Sequence, residues 1–472
     1  MYADDPVAYT RGGGGHAVAG RPSAIPEGPP MWEREAVVER VELLTYRSLF
    51  RAPGFRRLAM ASVVTRTGAS MQALVLVLFT LLRFHSPALA GLVLFCSLVP
   101  GLLISPVAGA LLDRHRRLLL ISLDYAIAAA TLVVIAALDA ANRLPTVGLL
   151  AVVAVGSLTN PLSNSGTRSL FPVMVPRPLW ERANAVDSGA YVIAAIAGPA
   201  VAGLLIGAAG VHAALLATAT LYLAGLLLLV GMAEPVVERI ATTSLIADAA
   251  AGLVYVLRHR ILRSVAITSA VSNLAFGILS VGMPVLLLSH LHAGETSVGA
   301  MYAVMGVAGL VAGLIAGRMD SEDSEVWFIV VGCAVSGMSM LVMLLASSIG
   351  GGLIGVALAM ALFGISQGVY DIGMFSLRQR VTAPAWMGRA FAVSMSLNFI
   401  GMPIGSALAG PIVERSLLVA FAIAVGVNVV AGLCALATLR QRPAGGAPRM
   451  GGGGRAQDSP RRPDRWPPLT AE

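Results

Sequence analysis

The residues best placed to do chemistry are polar side chains that fall inside long apolar stretches of the chain. Arg66 and Asp371 are full charges in such stretches, away from the ends. Charges inside a bilayer are costly and usually mark a substrate or ion pathway. We predict that Asp371 titrates or binds a cationic substrate, with Arg66 as its intermittent partner; the alternative is a static ion pair. Asp124, in another stretch, is a second candidate proton carrier.

Further polar residues concentrate on the first, fourth, seventh and tenth apolar stretches. We take these residues, together with Arg66 and Asp371, as candidates for binding a small-molecule substrate or an ion. The chain has no H-E-x-x-H, G-x-S-x-G or P-loop pattern, so we expect no enzyme activity, no catalytic residues, no metal and no resident cofactor. The additional candidates are Gln72, Asn160, Asn164, Asn273, Gln367 and Tyr370.

The composition is that of an integral membrane protein. Hydrophobic residues make up 57% of the 472 positions, charged residues only 12%, and the mean hydropathy is +0.80. Soluble domains carry roughly 25% charged residues. The net charge of +8 could suggest a nucleic-acid partner, but the arginines occupy short gaps between apolar runs. The expected partner is therefore the lipid bilayer, not a nucleic acid.

Twelve runs are long enough to cross a bilayer, whose ~30 Å core needs about 20 residues of helix. Positively charged loops stay in the cytoplasm. One set of loops holds fourteen arginines, whereas the alternate set holds only Arg83, Arg143 and Arg415. Both termini are therefore predicted to be cytoplasmic. We expect the protein itself to lie in the cytoplasmic membrane of a bacterium. The runs lie near 58–82, 88–111, 118–138, 146–167, 188–208, 212–233, 265–288, 297–317, 327–348, 352–375, 390–412 and 417–438.

An internal repeat organises these runs. The segment from Arg182 to Gly203 recurs 207 residues later, from Arg389 to Gly410, with Arg, Ala, Val and Gly at the same spacings. A repeat of this length predicts an all-α membrane fold of twelve helices in two six-helix bundles. We place the bundles at 51–235 and 264–440, joined by a cytoplasmic linker, 236–263. The Pro- and Gly-rich tails, 1–50 and 441–472, are predicted to be disordered, with an amphipathic helix or a plain linker at 32–50.

Two motifs resemble a known family. The string Gly109-x-x-x-Asp113-Arg114-His115-Arg116-Arg117 resembles the loop signature between helices two and three of the major facilitator superfamily. The resemblance implies that Gly109, Asp113, Arg114 and Arg117 form a conformational latch, although Arg116 replaces a glycine of the family pattern. The alternative is that these charges only enforce topology.

A second motif, Gly198-Pro199-x-x-x-Gly203, resembles the fifth-helix motif of exporters in that superfamily. Ordinary packing of small residues would explain it equally well. The linker from Asp248 to Arg263 resembles the branch that contains enterobactin and macrolide exporters.

The resemblance carries functional expectations. It implies a transporter whose first, fourth, seventh and tenth helices line a central cavity. We expect a monomer that exports a small amphipathic compound, such as a drug, a siderophore or a secondary metabolite. An ion gradient, most plausibly of protons, would drive export. The alternatives are an importer or lipid flippase of the same fold, and a membrane sensor that transports nothing.

Overall fold

The computed structural model describes residues 45–234, 245–319, 324–349, 351–383 and 386–439, without the side chains of 113, 172, 245–249, 387–389, 391 and 392. These residues form helices, with no strand among them. The predicted disordered tails lie outside the described residues, apart from residues 45–50 of the first. The same holds for the predicted amphipathic helix, of which only the last residues are described.

The first half of the chain contains a short helix, α1, followed by helices that could cross a membrane. Ser86 caps α3 by accepting a hydrogen bond from the Leu89 backbone, and Pro87 occupies the first turn, where its missing N–H costs nothing. The bounds are α1 Tyr46–Arg51, α2 Phe55–Phe84, α3 Pro87–Arg114, α4 Arg117–Ala140, α5 Thr146–Ser157, α6 Asn160–Val173 and α7 Trp180–Leu229.

The second half repeats this arrangement after a linker helix, α8. The seventh membrane crossing of the chain, which is the first of this half, ends in one π-helical turn, Leu286–His290. The bounds are α8 Leu245–Arg258, α9 Arg260–Val285, α10 Glu295–Ala316, α11 Glu325–Ser348, α12 Gly352–Val381, α13 Met387–Phe399, α14 Gly401–Arg415 and α15 Leu417–Leu439.

Some membrane crossings do not correspond to one helix each, and glycine or proline lies at these places. Eleven segments of the described chain are long and apolar enough to span a membrane. One of them, Arg177–Leu229, has 53 residues, or ~80 Å of helix at 1.5 Å per residue. Gly210 breaks it with a φ of 83°, so this segment makes two crossings and the total is twelve. The fourth crossing is α5 plus α6, and the eleventh is α13 plus α14.

The two halves meet through two equivalent helix pairs. Within the halves, α2 packs along α7, and α12 packs along α10 and α11; between them, α7 packs on α10, and α14 packs on α3. Ser406 Oγ donates to the Gly91 carbonyl across the second pair, and Thr296 Oγ1 donates to the Gly203 carbonyl across the first. The second pair is the repeat of the first with the halves exchanged, since α14 corresponds to the first part of α7 and α3 corresponds to α10.

These inter-half contacts concentrate at one end of the bundle. We call the end that carries the α3–α4 loop, with Arg114, Arg116 and Arg117, the Arg-rich end. Gly91, Gly203 and their partners lie toward the opposite end. Past the middle of α3, toward the Arg-rich end, Leu103 is 76% exposed, and a Cβ placed on Gly109 would meet no described atom within 4 Å. The halves therefore touch at the opposite end and separate toward the Arg-rich end.

Candidate functional site

Most of the predicted polar residues of the first half line one cavity inside that half. The cavity has a volume of about 180 Å³ and lies among α2, α3, α4, α6 and α7. Tyr222 donates its hydroxyl to Gln72 Oε1 at 2.8 Å, and Thr65 Oγ1 lies 3.0 Å from the Tyr125 hydroxyl. We call it the N-bundle cavity. It brings together Arg66, Gln72, Asp124, Asn160 and Asn164.

In this conformation Arg66 pairs with Asp187 and not with Asp371, so the predicted intermittent pairing with Asp371 stays a prediction. Arg66 Nη2 lies 2.6 Å from Asp187 Oδ1, and its Nη1 donates to the Asp187 carbonyl at 2.7 Å. The guanidinium also stacks on Tyr191, 3.8 Å from the ring centre, and Arg168 approaches the same ring at 4.8 Å. Arg66 is therefore neutralised within its own half, and Asp371 belongs to the other half.

Asp124 is the most enclosed carboxylate of the N-bundle cavity. Only 2% of the residue is exposed, and the hydroxyls of Ser163 and Thr159 lie against its side chain. Its Oδ1 has no hydrogen-bond partner among the described residues. A buried carboxylate oxygen without a donor is costly, so this atom is an acceptor available to a proton or a ligand.

The predicted residues of the second half form a separate polar group. Asn273 donates to Asn398 Oδ1 at 3.2 Å, and Ser269 Oγ lies 2.6 Å from the buried Tyr370 hydroxyl. Asn273 and Asn398 each lie 207 residues after Arg66 and Tyr191. The repeat thus places an amide pair where the first half has a cation–π pair.

Asp371 lies on an exposed face of α12. Its neighbours Ile365 and Val369 line an apolar groove on another face of the same helix, so Asp371 and Gln367 point away from that groove. The charge of Arg378, two turns further along, acts on Asp371. Arg378 is fully buried, and its Nη1 donates to Met395 Sδ at 2.9 Å.

The Gly-Pro motif lies at two close helix crossings. A Cβ on Gly198 would come within 2.9 Å of the Thr67 carbonyl oxygen on α2, and one on Gly203 would lie 2.7 Å from Gly299 Cα on α10. The Pro199 carbonyl faces Gly299 across the same crossing. In the repeat, Gly410 meets Ala88 on α3. Small residues at this motif thus allow the two halves to approach closely.

The predicted latch is only partly described. Asp113 belongs to the last turn of α3, but its side chain lies outside the described residues, and Arg114 is exposed. The Arg117 and Leu118 backbone amides donate to the Glu234 carboxylate at 3.1 and 3.2 Å. Arg117 Nη1 also donates to the Ser169 carbonyl at 3.3 Å. Glu234 thereby caps α4 next to the signature loop.

Sequence reasoning missed Asp187 and Arg378 as membrane-embedded charges. The apolar run was placed at 188–208, one residue after Asp187, whereas α7 begins at Trp180. The tenth run was placed at 352–375, which ends before Arg378, but α12 continues to Val381. Helical spacing was the available signal, since Asp187 stands one turn before Tyr191 on the same face.

Comparison with known proteins agrees with this architecture. The model of the Major Facilitator Superfamily matches residues 58–406, with a second, overlapping match at 265–466. An uncharacterized MFS-type transporter of Sinorhizobium fredii, y4rN, is 35% identical over 413 residues, which cover 85% of this chain and 98% of that protein.

Solved structures share the fold at low sequence identity. The nucleoside transporter NupG superposes with a TM-score of 0.67 at 12% identity, covering 82% of this chain and 99% of its own. A bacterial homologue of the iron transporter ferroportin, in an inward-facing state, gives 0.65 at 16% identity over 82% and 98%. With the family model matching most of its length, this twelve-crossing membrane protein belongs to the Major Facilitator Superfamily.

Proposed function

We propose that this protein is a proton-driven secondary transporter that exports a small amphipathic compound by alternating access. The observation that carries the proposal is the one-sided interface between the halves. Gly203 against Gly299 and Gly410 against Ala88 join the halves at the opposite end, whereas Gly109 and Gly189, toward the Arg-rich end, face no described atom within 4 Å.

The arginine distribution gives this asymmetry a direction. If the Arg-rich end is cytoplasmic, the conformation is inward-facing, open to compounds from the cytoplasm and closed to the outside. The protein would act as a monomer in the bacterial cytoplasmic membrane, with both termini in the cytoplasm. Release outside requires that the opposite end open while the Arg-rich end closes.

The coupling ion is proposed from the carboxylates. Asp371 is exposed on a helix that also carries Gln367 and Tyr370, which makes it the first candidate for a proton carrier. Asp124, with its unpartnered oxygen in the N-bundle cavity, is the second. Export is assigned from the resemblance of the Gly-Pro motif to that of exporters and from the close inter-half crossing at which it lies.

Accumulation of a fluorescent compound panel in an efflux-deficient host tests the proposal. Cells expressing the wild type, the Asp113→Asn variant or an empty vector are compared, with and without a protonophore. We expect lower accumulation with the wild type, lost in Asp113→Asn and lost when the proton gradient is collapsed. Higher accumulation than in the empty vector would instead indicate import. Equal accumulation across the panel would contradict export and favour a flippase or a sensor.

A further inference from the structure

The N-bundle cavity contains several acceptor atoms beside the Arg66 guanidinium. Asn160 Nδ2 donates to the Ser97 carbonyl and Asn164 Nδ2 to the Asn160 carbonyl, so both amide oxygens are available as acceptors. Asp124 adds a carboxylate, 2% exposed, whose Oδ1 lacks a donor among the described residues. A cavity of this kind favours a ligand that carries hydrogen-bond donors.

The N-bundle cavity offers Asp124 no paired cation among the described residues. Arg66 is the cation that lines it, but Asp187 neutralises this guanidinium at 2.6 Å and Tyr191 covers it at 3.8 Å. The other titratable groups that line the cavity are the phenols of Tyr125 and Tyr222, and Arg168 lies near it, 4.8 Å from the Tyr191 ring. Since Asp187 already balances Arg66, a carboxylate at Asp124 needs a cation from outside the protein to be stable in its charged form, because a buried charge requires a partner.

The size of the cavity selects among cations. About 180 Å³ is room for several water molecules. A bare alkali ion would leave most of that space to water. A primary ammonium with a short alkyl stem would have three donors for the acceptors of Asp124, Asn160 and Asn164, and the rings of Tyr125 and Tyr222 line the same cavity.

From this geometry we propose that the N-bundle cavity binds a protonated amine of the transported compound, with Asp124 as the residue that determines specificity. This inference rests on the proposed transport function and names its substrate class. Asp371 is then left as the carboxylate that carries the proton.

The test uses thermal unfolding of the purified full-length protein in detergent, since a ligand that binds only the folded state raises Tm. The probes are n-propylammonium chloride, 1-propanol and sodium chloride, all at one fixed pH. The proteins are the wild type, Asp124→Asn, and Glu181→Gln as the carboxylate control, since Glu181 is an exposed residue in the first turn of α7. Ala69→Leu, which fills the cavity without altering Asp124, is a second variant in case Asp124→Asn does not fold.

We expect propylammonium to stabilise the wild type and Glu181→Gln in a saturable way, with no comparable effect from 1-propanol or sodium. In Asp124→Asn or Ala69→Leu, the half-saturating concentration should rise about tenfold or more, the weight of one charged contact. Equal stabilisation by sodium would identify an alkali-ion site and overturn the proposal. No stabilisation, or stabilisation that survives both variants, would do so too.

The outcome is separable from the proposed function. Proton-dependent export in cells together with no propylammonium effect would reject the amine site and leave the transporter intact. Stabilisation dependent on Asp124 without export would support the site and reject the direction of transport.

Discussion

Arg66 and Asp187 form an ion pair, 2.6 Å between Nη2 and Oδ1, that ties α2 to α7 inside the first half of the protein. Both side chains are about nine-tenths buried. The pair neutralises the cation that would otherwise face Asp124. It therefore sets the charge of the N-bundle cavity as well as fastening two helices.

Removal of either partner should destabilise the protein strongly. Arg66→Leu or Asp187→Leu leaves a buried charge without its partner, at a cost of about 3–5 kcal/mol. We expect the double variant to be more stable than at least one single variant, because neither charge is then left alone. Thermal unfolding in detergent would measure this, and a double variant whose loss equals the sum of the single losses would contradict it.

Gly203 should be essential for closing the opposite end. A leucine there would place its Cβ 2.7 Å from Gly299 Cα, so α7 and α10 could not approach and transport should fall to the level of empty vesicles. Gly426→Leu is the matched control, because a Cβ on Gly426 of α15 meets no described atom within 4 Å. Uptake into inverted vesicles at equal protein level measures both. Normal transport by Gly203→Leu would refute this account of the crossing.

Glu414 should stabilise the conformation in which the opposite end is closed. Its Oε1 accepts hydrogen bonds from Ser86 Oγ at 2.8 Å and the Ala88 backbone amide at 3.0 Å, joining the end of α14 to the start of α3. These groups are exposed, so we expect Glu414→Ala to shift the equilibrium by only about 1 kcal/mol, roughly fivefold.

Ser86→Ala, which keeps the Ala88 contact, should shift the same equilibrium less. Labelling of a cysteine introduced at Ser406, which is buried in the closed α3–α14 crossing, by a membrane-impermeant maleimide would follow the opening, in a background lacking Cys96, Cys333 and Cys434. Unchanged labelling in Glu414→Ala would show that the contact does not hold this end closed.

Asp371 should couple transport to the proton gradient. Replacement by Asn removes the titrating group from α12 while keeping its size, so exchange driven by substrate alone should persist and the response to an imposed pH gradient should disappear. Asp371→Glu is the control that keeps a carboxyl group. Proteoliposome flux with and without a pH gradient gives the comparison, and an unaltered response in Asp371→Asn would exclude this residue as the carrier.

The sequence predicted the parts of the fold that depend on repetition. Gly198 and Gly405, 207 residues apart, both pack against the first membrane-crossing helix of their own half. Gly198 meets Thr67 on α2, and Gly405 meets Leu274 on α9. A residue that must be small for a close helix crossing recurs wherever the crossing recurs, so the pattern is visible before the structure is known.

The charge pairing could not be predicted in the same way. Asp187 and Arg378 lie where helices continue past their apolar runs, and hydropathy does not distinguish such a turn from a loop. The choice of Asp187 over Asp371 as the partner of Arg66 depends on the packing of α2 along α7, which no spacing within one helix reveals. Asp124 was visible in the sequence, but its unpartnered oxygen is a tertiary property.

The central claim is that the halves close alternately at their two ends, and paired spin labels test it most directly. One pair, at His115 and Arg318, spans the Arg-rich end, and the other, at Arg143 and His290, spans the opposite end; all four positions are exposed. The account predicts that substrate and a proton gradient shorten the first distance and lengthen the second. The fraction of molecules with the shorter first distance should equal the fraction with the longer second distance. Distances at both ends that stay fixed, or that change in the same direction, would contradict alternating access.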